Sequence, residues 1–255
     1  THPILEIFKW RVIRRFGQLL YFGRPALTLI IERFPATFEL ATCALLIAIS
    51  FGLPLGIYAG LHPDKIGTKI ITGSSILGIS IPTFWLGLML IIVFSVLLGL
   101  LPVSGRGDTA IFFGIESSLF TLDGLRHLVL PATSLAFFKI AMVIRLARSG
   151  TADIMSLDFI KFAKARGLSS FRIVYAHLLP NILIPIITIL AIEFGTLIAF
   201  ATVTETIFAW PGLGKLLIDA IVNLDRPIVV AYLLFVVSLF IILNLIVDIL
   251  YAVLD

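Results

Sequence analysis

Two long stretches without a charged side chain limit the folds that this sequence can adopt. Residues 40–63 contain no Asp, Glu, Lys or Arg, and residues 70–105 contain none either. A helix needs about 20 mostly apolar residues to cross about 30 Å of hydrocarbon, so each stretch is long enough to span a membrane. The whole chain is 60% hydrophobic and 13% charged, whereas soluble domains are about 25% charged. An ordinary soluble enzyme, a disordered chain and a disulfide scaffold are therefore excluded.

The charge-free stretches predict an all-α, polytopic membrane helix bundle with five transmembrane helices. The first span covers 40–63 and is opened by a turn at Pro35-Ala36-Thr37. Residues 70–105 are too many for one straight crossing and too few for two, so Pro82 is expected to break them and leave 83–100 as the crossing part. The other three spans are predicted at 127–146, 181–208 and 228–251.

Loop charges set the predicted orientation. Residues 145–177 carry six basic and two acidic side chains, whereas 101–125 and 209–227 have no excess of basic residues. Cytoplasmic loops are enriched in Lys and Arg, so 145–177 is placed in the cytoplasm and the other two loops outside. Alternation along the chain then puts the C-terminus in the cytoplasm.

The N-terminal segment does not fit this charge rule. Residues 1–24 place Arg11, Arg14 and Arg15 away from an apolar face, which indicates a basic amphipathic helix on the membrane surface. Parity puts this helix outside, so one missing upstream span is expected to return the true N-terminus to the cytoplasm. The predicted domains are an extracytoplasmic amphipathic segment, 1–34, and a transmembrane domain, 35–255, with a cytoplasmic loop at 147–180.

Small and charged residues within the spans each allow two interpretations. Gly52, Gly56 and Gly60 lie on one helix face, which indicates either close packing against another helix or a curved helix that tolerates glycine. Lys139 and Glu193 could line a pore, or could pair and lock two helices together. Two further acids, Glu205 and Asp248, lie near membrane boundaries, where water is expected to solvate them.

The cytoplasmic loop contains a second kind of signal. Residues 158–166 are predicted to form a short helix, capped by Ser156 or Asp158 and ended by Gly167, which tolerates a positive φ. The side chains at its C-terminal end, residues 163–166, are small or basic, so it could enter a groove on another protein or contact anionic lipid head groups. The physics of the residues leaves both possibilities open.

This loop resembles the EAA loop of ABC importer permeases. The family pattern is Glu-Ala-Ala, three residues, Gly, nine residues and Ile-x-Leu-Pro. The matching positions are Ala163, Gly167, Leu179 and Pro180. The departures are Lys161, Phe162 and His177, and they resemble the peptide and nickel branch of the family. Residues 205–214 are similar to that branch's signature outside the penultimate span, and the segment from Arg24 to Thr37 is similar to its B-type subunit.

The resemblance implies a type I permease fold with six spans, five of them in this chain, in a bacterial inner membrane. It implies a homologous second permease, two ATPase subunits that bind ATP and Mg, and an extracytoplasmic solute-binding protein, with membrane lipid around them. The implied ATPase-coupling residues are Asp158, Ala163, Lys164, Ala165, Arg166, Gly167 and Leu168. The implied outer-gate residues are Glu205, Phe208, Trp210, Pro211, Gly212 and Gly214. In the coupling helix, Ala163 and Gly167 would permit close seating, while Lys164 and Arg166 would make charge contacts.

The chain itself is not expected to be an enzyme or to hold a metal or cofactor. Gly214-Lys215 is followed by Leu216, and Ala209 occupies the position where a phosphate-binding loop requires glycine. The four histidines are scattered along the sequence and form no zinc pattern. Lys and Arg lie in the loops between spans, which argues against nucleic-acid binding.

These observations favour the pore subunit of an ATP-driven importer of di- or oligopeptides that works by alternating access. One alternative is an importer of nickel or a glutathione-type small solute from the same family. A second is an ion-coupled secondary transporter, which predicts inverted repeats, yet the Pro-broken segment has no matching half. A structural membrane protein would leave the loop and the outer signature unexplained.

Overall fold

The computed structural model describes residues 25–112 and 114–254, which are almost entirely helical. Its α-helices are α1 (Ala26–Leu61), α2 (Ile66–Ser80), α3 (Thr83–Leu90), α4 (Leu122–Met155), α5 (Asp158–Ala165), α6 (Ser170–Ile173), α7 (Leu179–Phe200), α8 (Thr202–Ile207), α9 (Leu213–Val222) and α10 (Arg226–Leu254). π-Helical segments follow α3 at Ile91–Leu97 and precede α7 at Val174–Leu178. A short antiparallel hairpin, β1 (Ala110–Phe112) and β2 (Ile115–Ser117), pairs Ile111 with Glu116.

Four helical stretches are long and apolar enough to cross a membrane: Ala26–Leu61, Leu122–Met155, Ser170–Ala199 and Arg226–Val247. A fifth is available if Ile66–Ser80 and Thr83–Leu97, which meet at an angle of 104°, count as one broken span. The helical membrane fold is confirmed, and so is the break at Pro82.

The predicted start of the first span is wrong. Pro35 lies inside α1, and no turn separates Pro35-Ala36-Thr37 from the residues before them. Prolines occur within transmembrane helices because neighbouring groups in the bundle can satisfy the freed carbonyl, so a proline rule taken from soluble helices predicts too many breaks. The proposed domain boundary after residue 34 therefore falls within a helix, and the predicted amphipathic segment at 1–24 lies outside the described residues.

Several other predicted boundaries also shift. The third span, predicted at 127–146, lies within the longer α4, so the first part of the 147–180 loop is helical. The fourth was predicted to reach residue 208, but α7 ends at Phe200 and α8 is a separate helix. Hydropathy misses the polar ends of a helix, as in α4, and it does not detect where one helix ends and another begins within apolar sequence, as between α7 and α8.

The chain divides into two compact units, each assembled from separate stretches of sequence. One contains the residues up to Ala41 with Gly87–Pro131 and Gly195–Ile242, and the other contains Thr42–Leu86, Ala132–Phe194 and the residues from Leu243 onward. The first unit, called the signature unit below, has a buried core that includes Ile30, Leu213 and Ile228. The second, the loop unit, has a core that includes Ala48, Val143 and Ile182.

The glycine stripe of α1 packs directly against α4 within the loop unit. A Cβ atom added at Gly56 would lie 2.6 Å from the Cβ of Ala147 and 2.7 Å from the carbonyl oxygen of Ile144. Cβ atoms added at Gly52 and Gly60 would lie equally close to Val143 and Thr151 on α4, at 2.7 and 2.5 Å. Small residues bring two helices close where the bilayer offers no hydrophobic drive for association. Of the two interpretations of the stripe, the structure supports close packing.

Replacing Gly56 with alanine is expected to destabilise the protein by about 1–3 kcal/mol, because the new methyl group overpacks the α1–α4 contact. Gly73→Ala in α2 is the matched control, because a Cβ atom there meets nothing within 4 Å. Alanine favours a helix over glycine by up to about 1 kcal/mol, so the control should be neutral or stabilising. Thermal unfolding in detergent measures both variants, and equal melting temperatures would contradict the packing account.

Candidate functional site

Helix α5 is a self-contained element with a well-defined end. The N–H of Gly167 donates to the carbonyl of Lys164 at 3.0 Å, and the N–H of Leu168 donates to the carbonyl of Ala163 at 3.2 Å. This pair of bonds is a Schellman motif, which requires a left-handed residue after the helix, and Gly167 supplies it with φ +76°. The predicted role of Gly167 as helix terminator is confirmed. A Cβ atom at Gly167 would meet open space, so its backbone conformation is what favours glycine there.

The predicted capping of α5 by a side chain is wrong. Leu157 occupies the N-cap position and provides no side-chain hydrogen bond. The Ser156 hydroxyl instead donates to the carbonyl of Asp153 at 2.6 Å. Asp158 lies in the first turn, where its negative charge suits the helix dipole, and it pairs with Lys161 at 2.8 Å.

One face of α5 is buried on its own chain. Ile160 and Ala163 pack with Ile173, and the partly buried side chains around this cluster include Met155 and Leu168. Ala163 is 5% exposed, so the structure places it differently from the prediction. Its small side chain packs against the chain's own hydrophobic cluster and is not part of the exposed face that a partner would contact.

The opposite face of α5 is exposed and carries cations beside an aromatic ring. Phe162 is 63% exposed, and the Arg166 guanidinium lies 5.3 Å from the centre of its ring. The remaining exposed positions of the predicted coupling set are Asp158, Lys164, Ala165 and Gly167. Arginine and exposed aromatic residues are enriched at protein interfaces, where they supply much of the binding energy. This face can therefore bind a protein groove.

Lys139 and Glu193 form an ion pair between α4 and α7 in the loop unit. The side chains are 11% and 24% exposed, and the Lys139 ammonium also lies 5.3 Å from the centre of the Phe138 ring. A buried charge that loses its partner is strongly destabilising, so the pair ties the two helices together. The structure thus shows the pairing that was one of the two interpretations of these residues.

In the signature unit, side chains from distant positions satisfy the N-terminus of α9. The N–H of Leu213 donates to the Thr37 hydroxyl oxygen at 2.7 Å, and that hydroxyl donates to Glu205 Oε1 at 2.6 Å. The N–H of Lys215 donates to Glu205 Oε2 at 3.0 Å. The first N–H groups of a helix have no partner within the helix and carry partial positive charge, so a carboxylate is a suitable acceptor.

The two glycines of the signature let Glu205 reach this position. A Cβ atom on Gly212 would lie 2.2 Å from Glu205 Oε1, and one on Gly214 would lie 2.4 Å from the Cα atom of Thr202. Ala209 adopts φ 47° where α8 ends, and the Trp210 N–H then donates to the carbonyl of Glu205 at 2.8 Å. The signature is therefore a tight turn wrapped around one buried carboxyl group.

Glu205 is fully buried, which corrects the expectation that water solvates it. Burial raises its pKa above the ordinary value of 4.5. Hydrogen bonds from Thr37 and from the backbone of Lys215 and Gly214, together with the positive charge of Arg33, act in the opposite direction.

The other members of the signature set lie around this carboxyl group. Trp210 is buried, and its indole N–H donates to the carbonyl of Ala36 at 2.9 Å. The carbonyl of Phe208 accepts from the N–H of Gly105 at 2.8 Å. The carbonyl of Pro211 accepts from Arg33 at 3.4 Å. The structure thus brings the six predicted gate residues together in one turn.

A second charged cluster in the signature unit was not found from the sequence. Arg106 donates to Glu39 at 2.6 Å and to the carbonyl of Glu116 in β2 at 2.9 Å. Glu39 also accepts from the backbone N–H of Ser118 at 3.1 Å and from the Ser118 hydroxyl. This cluster fixes the hairpin to α1, and its members are too far apart in sequence for any local pattern to indicate it.

The comparisons with known proteins agree on one family. A family described as binding-protein-dependent transport system inner membrane component matches residues 52–255. The di/tripeptide transport system permease protein of Pseudomonas aeruginosa is 43% identical over 231 residues, covering 86% of this chain and 69% of the relative. The dipeptide transport system permease protein of Escherichia coli is 37% identical over 240 residues, covering 88% and 71%.

A solved structure, an inward-facing methionine ABC transporter, gives a TM-score of 0.68 at 16% identity, covering 90% of this chain and 97% of that chain. At that identity the likeness supports the fold alone.

Among the described residues, no group of three or more His, Cys, Asp or Glu side chains could hold a metal ion.

Replacing Glu205 with glutamine is expected to destabilise the protein by about 1–3 kcal/mol, because the amide nitrogen faces a donor and one buried hydrogen bond is lost. Glu116→Gln, an exposed position, is the control and should behave as wild type.

A comparison of wild type with Glu205→Gln at several pH values tests the protonation of Glu205. Its folded pKa is raised, so the folded state binds more protons than the unfolded state between pH 4.5 and the folded pKa. The stability that Glu205 contributes is full below the unfolded pKa and is lost as pH rises through the folded pKa. The melting temperature of wild type minus that of Glu205→Gln should therefore increase as pH falls. A difference that stays constant with pH would contradict this prediction.

Proposed function

The chain belongs to the family of inner membrane components of binding-protein-dependent transport systems, and from that premise we propose that it forms half of the pore of an ATP-driven importer of di- or oligopeptides. The peptide substrate is supported by the relatives from Pseudomonas aeruginosa and Escherichia coli, whose names describe di/tripeptide and dipeptide transport. The other half of the pore is a homologous second permease. An extracytoplasmic solute-binding protein delivers the peptide.

The observation that carries this function is the two-sided character of α5. Its inner face belongs to a hydrophobic cluster of the chain itself, while Phe162, Lys164 and Arg166 are exposed on its outer face. A helix held this firmly has no need of an exposed aromatic and cationic face for its own stability. The face is suited to a cytoplasmic ATPase subunit, whose acidic and apolar groups would complement it.

Motion of α5 can reach the membrane helices through packed contacts in the loop unit. Ile154 and Met155, at the end of α4, pack against the buried cluster beneath α5. Farther along, α4 packs on the glycine stripe of α1 without space for a methyl group. Close-packed interiors transmit displacement because they deform little. Closure of the ATPase dimer around ATP and Mg would thus move α5, α4 and α1 together and switch the cavity between inward-facing and outward-facing states.

In this proposal the signature unit contributes the outer gate. The excess of basic residues at 145–177 supports a cytoplasmic position for α5 and for the C-terminus. The turn around Glu205 gives the gate a fixed shape, because three main-chain segments meet at one buried carboxyl group. ATP hydrolysis takes place on the partner subunits, and this chain provides no catalytic residue.

Charge reversal and truncation on the exposed face of α5 test the proposal. Arg166→Glu and Phe162→Ala are expected to reduce co-purification of the ATPase subunits, because each removes a contact from the docking face. Loss of a central interface side chain costs about 1–2 kcal/mol or more, so ATPase affinity should fall at least about fivefold. The matched control is Tyr175→Ala, which removes another exposed aromatic ring of the loop unit but lies outside α5.

Uptake of a labelled dipeptide into cells measures the same variants in function. Uptake should fall with ATPase binding in Arg166→Glu and Phe162→Ala, and persist in Tyr175→Ala. It should also persist when the proton gradient is dissipated while ATP is maintained. Uptake that collapses with the gradient would contradict ATP-driven transport, and uptake of Ni²⁺ in place of the dipeptide would contradict the peptide assignment.

A further inference from the structure

An apolar groove in the signature unit lies outside the gate and has no role in the proposed function. The groove has a volume of about 320 Å³ and is formed between α9 and the first turns of α10. Its lining consists of Ala220, Ile221, Leu224, Arg226, Val229 and Val230. Arg226 is the charged member of this set, and the other five are aliphatic.

Leu224 occupies an unusual backbone position beside this groove. It follows α9 with φ 57°, the position where a Schellman motif normally has glycine. The N–H of Asp225 completes the motif by donating to the carbonyl of Ala220 at 2.8 Å. A leucine in this conformation is strained, and 82% of its surface is exposed. Strained residues cluster at binding sites and switch regions, so Leu224 makes the groove a candidate binding site.

Arg226 adds a positive charge to the lining of the groove. Its side chain is exposed, and within the described part of the chain its guanidinium forms no ion pair. The neighbouring Asp225 is buried and is not part of the groove lining; one of its carboxylate oxygens accepts from the N–H of Ile228 at 3.5 Å, and the other has no hydrogen-bond partner among the described residues. The combination is an apolar groove whose lining includes one exposed cation that forms no ion pair within the described part of the chain.

The apolar surface continues from the groove along α10. Positions 226, 229, 230, 233, 234 and 237 follow the spacing of one helix face, and Leu233, Leu234 and Val237 are exposed. From Arg226 to Val237 the helix rises about 17 Å, which is roughly the depth of one leaflet of a bilayer. Arg226 is also the first residue of the span Arg226–Val247, which places its charge at the level of the lipid head groups.

We propose that this groove binds one anionic phospholipid, with an acyl chain between Ile221, Leu224 and Val230 and the phosphate group on Arg226. A phospholipid complements the site along its length, because its anionic head group can face Arg226 and its apolar chain can follow the aliphatic residues. Arginine binds phosphate oxygens through two parallel N–H groups. A protein partner on this face would need an acid placed against Arg226 and apolar side chains filling the groove. The lipid matches the full length of the apolar face of α10 from residue 226 to residue 237, and it needs no additional acidic group from a protein.

Native mass spectrometry of the intact transporter tests the site, using nanodiscs of phosphatidylcholine with a small fraction of phosphatidylglycerol as the probe. Wild type should retain phosphatidylglycerol at this site in preference to phosphatidylcholine. Arg226→Gln should lower retention about fivefold, in line with the contribution of one basic residue at an anionic surface. Arg126→Gln is the matched control, because Arg126 is also exposed near the start of a membrane span, Leu122–Met155, but does not line this groove.

Leu224→Gly separates lipid binding from folding. Glycine adopts a positive φ without strain, so this variant should melt at the same or a higher temperature than wild type. It should nevertheless lose phosphatidylglycerol. Val222→Ala, an exposed position outside the groove lining, should retain it. Unchanged retention in both Arg226→Gln and Leu224→Gly would overturn the proposal. So would a photoreactive residue at position 224 that crosslinks to another protein subunit in place of lipid.

Discussion

A helix end leaves backbone N–H or carbonyl groups without partners inside the helix, and where water is excluded the chain itself must supply those partners. At the break before α9, Thr37 and Glu205 accept from the free N–H groups of the helix. At the break beside Pro82, the N–H of Ile81 donates to the carbonyl of Leu77 and the N–H of Leu86 donates to the carbonyl of Pro82, both at 3.1 Å. At the end of α5, the Schellman motif at Gly167 satisfies the last carbonyl groups within the helix itself. Two of these interruptions bound the predicted gate residues and the predicted coupling helix.

The same requirement explains which parts of the structure could be predicted from the sequence. Long apolar stretches reveal helices that satisfy their own backbone, so the helical membrane fold and the break at Pro82 were predictable. The continuation of α1 through Pro35 was not, because its tolerance depends on the helix's surroundings and not on local sequence. The short helix α5 and its end at Gly167 were also predictable, since a Schellman motif involves only neighbouring residues.

The site residues divide in the same way. The buried position of Ala163 depends on Ile173, ten residues later in the sequence, and no spacing rule indicates which face of a short helix turns inward. Glu205 was expected to be solvated because it lies near a predicted membrane boundary, and its contact with Thr37, 168 residues away, leaves no local pattern in the sequence. One signal could have identified it: an acid followed by Gly212-Leu213-Gly214 at the start of a helix is a sequence that suits a buried carboxylate at a helix N-terminus. The Glu39–Arg106 cluster had no comparable local signal.

In the proposed function, α5 transmits the motion of the ATPase subunits to the membrane helices. Crosslinking from the two faces of that helix tests this proposal most directly. Cys43 is the chain's single cysteine, so a Cys43→Ala background allows one new cysteine at a time. Ala165 is exposed and Ala163 is buried, although both are alanines on the same helix. Ala165→Cys should crosslink to an ATPase subunit in the intact transporter and Ala163→Cys should not. Crosslinking from position 163, or from neither position, would contradict the assignment of this face as the coupling surface.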